Sequence, residues 1–251
     1  MPISSWILLL GSAFAAGIAN ALAGGGTFLV FPALIFAGIP PVIANATSSV
    51  AVLPGGLASV WVYRRGVPAR KFWTAVCAAS VAGAGVGSEL LLITPSARFS
   101  QLAPYLMLGA AAVFSFSGPL RRLAAAHSAG RIHMGALIAG QFAIGVYGGY
   151  FGAGMGVLMV VLFLVAARMD VQASAAVRIM CGTAVNAIAV TIFAVRGIVA
   201  WRLGVPMLLA AIVGGYWGAH AFQRLHPEHA RRGVLVYAWA TGIWLLVRSL
   251  K

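Results

Sequence analysis

Acid is what this chain lacks most. Of its 251 residues only three are Asp or Glu, and all charged residues together make up 8%. Soluble globular chains carry about 25% charged residues, so a soluble fold with a charged skin is excluded. Three acids and no Ser-His-Asp set leave little for acid–base or nucleophilic catalysis, and the chain does not read as an enzyme. There are two cysteines, Cys77 and Cys181, each inside an apolar run. A structural disulfide is not expected of them; a small buried hydrophobe is the default role. The histidines (His127, His133, His220, His226 and His229) mostly accompany basic loops without metal-ligand spacing. No metal and no cofactor is expected. No GK[ST] occurs, which removes an ATP-driven mechanism within this chain.

What the chain does have is hydrophobic surface, at 62% of residues. At roughly 20 residues per span, eight crossings use about 160 residues and leave only short loops. The composition predicts an all-α polytopic protein of about eight transmembrane segments, whose main partner is the lipid bilayer. The net charge of +14 could suggest nucleic acid. The bases sit instead in clusters between apolar runs: Arg64, Arg65, Arg70 and Lys71; Arg121, Arg122 and Arg131; Arg224, Arg231 and Arg232. Retained cytoplasmic loops look like this, so no nucleic-acid partner is expected and the protein is placed in the cytoplasmic membrane as a multi-pass chain. Ala13-Phe14-Ala15 mimics a signal-peptidase site, but no Lys or Arg precedes it and the apolar run continues past it; it reads as the first membrane segment.

Apolar runs cover residues 3–36, 42–63, 72–93, 102–120, 132–167, 175–195, 203–222 and 234–247. The first and fifth are too long for one span and slightly short for two. Glycines interrupt both: Gly24-Gly25-Gly26 in the first, Gly152-Ala153-Gly154-Met155-Gly156 in the fifth. Glycine weakens a helix by about 1 kcal/mol relative to alanine, so each cluster predicts a break. The two runs also belong to a repeat. At an offset of 128, Gly17, Gly24 and Gly26 fall on Gly145, Gly152 and Gly154. At 131, Arg65-Gly66-Val67 falls on Arg196-Gly197-Ile198, Lys71 on Arg202, Gly83 on Gly214 and Gly87 on Gly218. The chain is therefore expected to hold two duplicated membrane repeats, 1–126 and 127–251, in one membrane domain, each opening on a broken helix. If the broken segment goes in and returns, the halves invert and the loop bases split 12 inside against 5 outside; parallel halves give 11 against 6. The positive-inside rule leans to inversion.

A helix restarting after a glycine break points free N–H groups and a positive dipole end into the protein, an anion site needing no charged side chain. The substrate-binding candidates at the first break are Asn20, Gly24, Gly25, Gly26 and Thr27. Asn45, Thr47 and Ser48, in the polar stretch after Pro40-Pro41, are either pocket donors or simple helix capping. At the second break the candidates are Tyr147, Gly152, Gly154 and Gly156. Arg178 matches Thr47 at the 131 offset and either snorkels to the interface or supplies a fixed positive charge. Two restart points meeting at a pseudo-two-fold would form one central pocket. The bland reading of the same glycines is close helix packing.

The stretch Gly17 to Leu34, followed by Gly38-Ile39-Pro40-Pro41 and Ala44-Asn45-Ala46-Thr47-Ser48, resembles the first repeat of the TauE/SafE family, sulfite-exporter-like permeases also called the toluene-sulfonate uptake permease group. Gly145 to Leu162 and the run Arg196-Gly197-Ile198-Val199-Ala200-Trp201-Arg202 resemble its second repeat. The resemblance spans nearly the whole chain. It implies a secondary carrier of seven or eight helices with sulfur-containing or organic anions as substrates. The second copy departs from the pattern: Ala175-Ala176-Val177-Arg178 stands where the resemblance leads one to expect something closer to Ala-Asn-Ala-Thr. The leading expectation is a permease moving a small anion outward, such as sulfite, a sulfonate or a related organosulfur or organic anion. The alternative is a non-transporting membrane scaffold or assembly protein; homo-oligomerisation is left open.

The orientation makes one prediction. Four basic residues between Arg64 and Lys71 should resist translocation, so Gly66→Cys should stay unlabelled by an impermeant thiol reagent added outside intact cells. Efficient labelling there would reverse the topology.

Overall fold

A computed structural model of the chain describes residues 1–22, 25–63, 73–126, 134–167, 169, 171–220 and 227–249. Gly24, the loop from Arg64 to Lys71, Arg131, Arg224, His127, His133 and His226 lie outside the described residues. Among the described residues every regular element is an α-helix: α1 Ile3–Leu22, α2 Thr27–Phe36, α3 Pro41–Tyr63, α4 Trp73–Ile93, α5 Ser96–Ser115, α6 Ser117–Ala126, α7 Met134–Tyr150, α8 Met155–Ala166, α9 Val171–Val195, α10 Trp201–His220 and α11 Pro227–Ser249. Among those residues, four stretches are both long and apolar enough to cross a membrane: Ile3–Asn20, Pro41–Trp61, Trp73–Ile93 and Ala173–Val195.

Both overlong runs divide at their glycines. The first becomes α1 and the ten-residue α2; the fifth becomes α7 and the twelve-residue α8. Gly25, Gly152 and Gly154 hold φ of 93°, 78° and 74°, a region L side chains avoid. An interrupted helix is tolerated at membrane depth only where protein or a wet cavity surrounds it. The short helices fit that condition. Phe28, Val30, Phe31, Pro32, Ala33, Leu34 and Ile35 of α2 are buried, as are Val157, Met159, Val160, Phe163, Leu164 and Ala166 of α8.

Helix ends follow local chemistry. After α2, the Gly38 N–H donates to the Ile35 carbonyl and the Ile39 N–H to the Leu34 carbonyl, both at 3.0 Å, with Gly38 at φ 83°. This is a Schellman stop, and Pro41 then opens α3 at the position where a missing N–H costs nothing. Gly197 ends α9 in the same way, with bonds of 3.1 Å from Gly197 to Ala194 and from Ile198 to Phe193. Two runs differ from expectation. Residues 102–120 fall on two helices, α5 and α6, separated at Phe116. The last run extends to Pro227, because proline suits a first helical turn and Arg231 and Arg232 join the helix instead of the preceding loop.

Two compact units interleave the two halves of the chain. One comprises Met1–Gly55, Leu92–Ala111 and Phe193–Lys251; the other comprises Gly56–Leu91 and Ala112–Ile192. In the first unit α1 packs on α10 with backbones nearly touching. A Cβ added at Gly17 would strike the Ala211 carbonyl and lie 2.7 Å from the Gly215 nitrogen, and one at Gly214 would strike the Phe14 carbonyl. In the second unit α4 packs on α7 likewise. A Cβ at Gly83 would strike the Phe142 carbonyl, one at Gly87 the Val146 carbonyl, one at Gly149 the Ala84 carbonyl, and one at Gly145 would lie 2.6 Å from the Ser80 carbonyl. Apolar side chains gain little from leaving lipid, so helices in membranes associate through such close approach of small residues. The second unit also has a compact core, in which Trp73 meets Phe163 edge-on at 5.9 Å beside Leu137, Met159 and Val185.

Candidate functional site

The first unit carries one break. Asn20, in the last turn of α1, accepts the Gly26 N–H on its Oδ1 at 2.8 Å. The Phe28 N–H donates to the Gly25 carbonyl and the Leu29 N–H to the Gly26 carbonyl, each at 3.0 Å. The restart of α2 is thus partly closed on itself, with Asn20 as its external cap and Thr27 half-buried beside it. Gly55 on α3 gives the Asn20 side chain room: a Cβ there would lie 3.6 Å from the Asn20 Cβ.

Asn45, Thr47 and Ser48 are all buried in α3. The Ser48 hydroxyl donates to the Asn45 carbonyl at 2.8 Å, an internal bond of α3. Thr47 Oγ1 accepts the Ala200 N–H at 3.1 Å. Ala200 sits at the start of α10, whose Leu203 and Gly204 N–H groups bond its carbonyl, so Thr47 anchors α10 to α3. Both hydroxyls therefore have partners within the fold.

The second unit carries the other break, and here the candidates converge. The Tyr147 hydroxyl donates to the Ala153 carbonyl at 2.6 Å, tying α7 to the turn that follows it. Gly152 and Gly154, both at positive φ, carry the chain through that turn into α8. No side chain caps α8: its N-cap residue is Gly154 itself. Arg178 of α9 lies along this restart. A Cβ on Gly156 would come 2.8 Å from Arg178 Nη1 and 3.2 Å from its Cδ, so glycine at 156 makes the space the arginine fills. Met155, the first residue of α8, reaches back to Gly148 with its sulfur and toward Gly182 of α9 with its methyl group.

This places a guanidinium against the positive end of a helix. Cations are favoured at helix C-termini; at an N-terminus the same interaction, about 0.3–1 kcal/mol when exposed and up to about 2 kcal/mol when partly buried, works against folding. The Met155 and Val157 N–H groups of this first turn donate to the Gly152 and Gly154 carbonyls at 3.3 and 3.1 Å; a guanidinium beside a helix N-terminus is an arrangement that an anion stabilises.

The left-handed turn makes a local prediction. Gly→Ala in an ordinary exposed helix site stabilises by up to about 1 kcal/mol. Gly154→Ala should instead destabilise by about 1 kcal/mol or more, because alanine pays for a positive φ. Thermal unfolding of the detergent-purified variant reads this, and a raised midpoint would mean that α7 and α8 run on as one helix.

Sequence reasoning missed three features of these units. The Asn20 carboxamide oxygen serves the turn six residues on, through the Gly26 N–H. The Gln141 amide, fully buried on α7, donates to the Ser80 hydroxyl of α4 at 2.8 Å. Cys77 and Cys181 meet with their sulfurs 3.6 Å apart. A polar residue among glycines of close-packing helices was the only signal for the second. A separation of 104 residues hid the third.

Comparison with known proteins places these features in a lineage. The family described as sulfite exporter TauE/SafE matches residues 9–245. A probable membrane transporter protein of Haemophilus influenzae is 28% identical over 208 residues, covering 82% of this chain and 80% of the relative. A probable membrane transporter protein of a Sinorhizobium species is 30% identical over 209 residues, covering 83% and 79%. The probable membrane transporter protein YfcA of Escherichia coli is 27% identical over 219 residues, covering 84% and 80%. No solved structure matches the chain at a significant level.

Proposed function

Because the chain belongs to the sulfite exporter TauE/SafE family, and is thus a multi-pass membrane permease and not an enzyme, we propose that it is a secondary exporter of a small anion across the cytoplasmic membrane. Sulfite, a sulfonate or a related organosulfur anion is the substrate class. The observation that carries the anionic reading is Arg178 beside Gly156 at the uncapped start of α8. Tyr147 braces the turn, Gly152 and Gly154 shape it, and backbone N–H groups with the guanidinium bind the oxyanion. Export needs no coupling ion. A monoanion leaving a cell with a negative interior gains about 2.3 kcal/mol per 100 mV, equivalent to roughly 50-fold accumulation outside.

Duplication of the two halves has support in the packing as well as the sequence. Phe14, Gly17, Ala211, Gly214 and Gly215 meet across α1 and α10. The sequence offsets of 128 and 131 convert these into Phe142, Gly145, Ser80, Gly83 and Ala84, which meet across α7 and α4. One ancestral helix pair used twice accounts for both contacts. In this reading each broken helix packs against a helix from the other half of the chain.

A thermal-shift screen tests the substrate class. Sulfite, sulfate, alkyl and aryl sulfonates and carboxylates should be compared with dimethyl sulfone, a neutral molecule of similar shape. At 100 times Kd an anion raises stability by about 2.7 kcal/mol, a shift of several degrees. Stabilisation by one or more anions and not by the sulfone is expected. Equal or absent responses across the panel would contradict an anion site and favour a scaffold.

A further inference from the structure

The second unit holds a pair of thiols with no place in the anion site. Cys77 of α4 and Cys181 of α9 are both free, with sulfurs 3.6 Å apart, which is van der Waals contact. Cys181 is completely buried and Cys77 is partly exposed. Polar neighbours fix the buried member: the Gln141 amide donates to Ser80 Oγ at 2.8 Å, Ser80 Oγ donates to the Val76 carbonyl at 2.9 Å, and Ser80 also touches the Cys181 thiol. Apolar packing completes the surroundings, with Val76, Val177 and Val185 in the same core. A disulfide requires a sulfur separation of about 2.05 Å. The two sulfurs must therefore approach by a further ~1.5 Å for the bond to form.

We propose that Cys77 and Cys181 form a redox-responsive modification site, a dithiol that a peroxide closes into a disulfide joining α4 to α9. Cys77 is the attacking member because it is the less buried of the two and lies in the first turn or so of α4, near the helix end. Its thiolate sulfur attacks one peroxide oxygen; the O–O bond breaks and the other oxygen leaves as water after taking up a proton. Cys77 is now a sulfenic acid, with its sulfur oxidised by two electrons. The Cys181 sulfur then attacks the Cys77 sulfur, forming the S–S bond, and the S–O bond breaks to release the second water with the thiol proton. Overall two thiols and one hydrogen peroxide give one disulfide and two waters.

The position of the bridge gives it a consequence. Cys181 lies one helical turn after Arg178 on α9, and the adjacent Gly182 faces the methyl of Met155, the first residue of α8. The disulfide pins this part of α9 to α4, the helix already packed on α7 through Gly83 and Gly87. The helices packed against the two sides of the second break, α4 on α7 and α9 on α8, are then covalently joined within one unit. The inference concerns these thiols alone and stands whichever substrate the permease carries.

The test uses the full-length protein in detergent, treated with hydrogen peroxide and then with dithiothreitol. Peptide mass spectrometry should find the Cys77 and Cys181 peptides joined in a monomeric species, two hydrogens lighter than the sum of the free peptides. Thermal unfolding should shift upward on the order of 5 °C and return after reduction. Cys77→Ser and Cys181→Ser change little volume and should keep the parent size-exclusion profile. Both should lose the cross-link and the shift, and Cys181→Ser should instead accumulate a dimedone-reactive sulfenic acid at Cys77. If the wild-type thiols stay unreacted, oxidise without joining, or join only between molecules, the proposal is overturned. A midpoint that does not move when the cross-link forms would equally overturn the claim that it fixes α4 to α9.

Discussion

Arg178→Gln should weaken anion affinity about 10- to 100-fold, because a hydrogen bond to a charged partner contributes about 1.5–3 kcal/mol and each 1.4 kcal/mol is tenfold. The same substitution should change the stability of the anion-free protein by no more than about 1 kcal/mol, because glutamine keeps a hydrogen-bonding head beside Gly156 and the lost charge faces the positive end of α8. A large loss of affinity with a small change in stability separates a binding arginine from a structural one. An arginine that merely snorkels toward the interface would leave binding unchanged. One that holds α9 to α8 would lower stability with and without ligand. Calorimetric titration with the best anion from the thermal screen, run beside unfolding of the free variant, reads both quantities.

The second large effect is on folding. Gly87→Leu drives a branched side chain into the Val146 carbonyl of α7, and Gly17→Leu does the same to the Ala211 carbonyl of α10. Neither obstacle can rotate away, since each is helix backbone, so the helices must separate. Overpacking of this kind costs about 3 kcal/mol or more, a fall on the order of 10 °C in the unfolding midpoint. Gly85, two residues from Gly87 on the same helix, has nothing within 4 Å of its added Cβ. Gly85→Ala should therefore be neutral or stabilising by up to about 1 kcal/mol. Equal tolerance at 85 and 87 would mean that α4 does not pack on α7 at close range.

The breaks were the most legible part of the fold. A run that is too long for one span and contains a glycine cluster has few other ways to satisfy its backbone. Gly38-Ile39-Pro40-Pro41 was legible in the same way, because a left-handed stop followed by proline is a local code that needs no tertiary partner. Membership in a helical permease family followed from these local patterns in combination.

Side-chain roles within the site were less legible, and the reasons differ by residue. Thr47 reads as a pocket donor, and its hydroxyl also receives the Ala200 N–H from a residue 153 positions away. Nothing in the local sequence marks that partner. Asn20 sits near a turn whose geometry depends on which glycine takes a positive φ, and a triplet leaves that choice open. Arg178 reads either way from the sequence alone. The absence of a side chain at Gly156 is what lets the guanidinium lie against α8, and the helix register needed to see this is a tertiary fact. The packing glycines were visible as matched pairs at offsets of 128 and 131, but the offsets alone do not say that α1 meets α10 and α4 meets α7.

Flux through the purified protein tests the central claim most directly. Proteoliposomes loaded with labelled sulfite, or with the strongest anion from the thermal screen, should be given an interior-negative potential with potassium and valinomycin. Efflux should be protein-dependent, saturate with internal anion, quicken with the potential, and fall at subsaturating anion when Arg178→Gln replaces the parent. Efflux no faster than from protein-free vesicles, for every anion that stabilises the protein, would contradict the account.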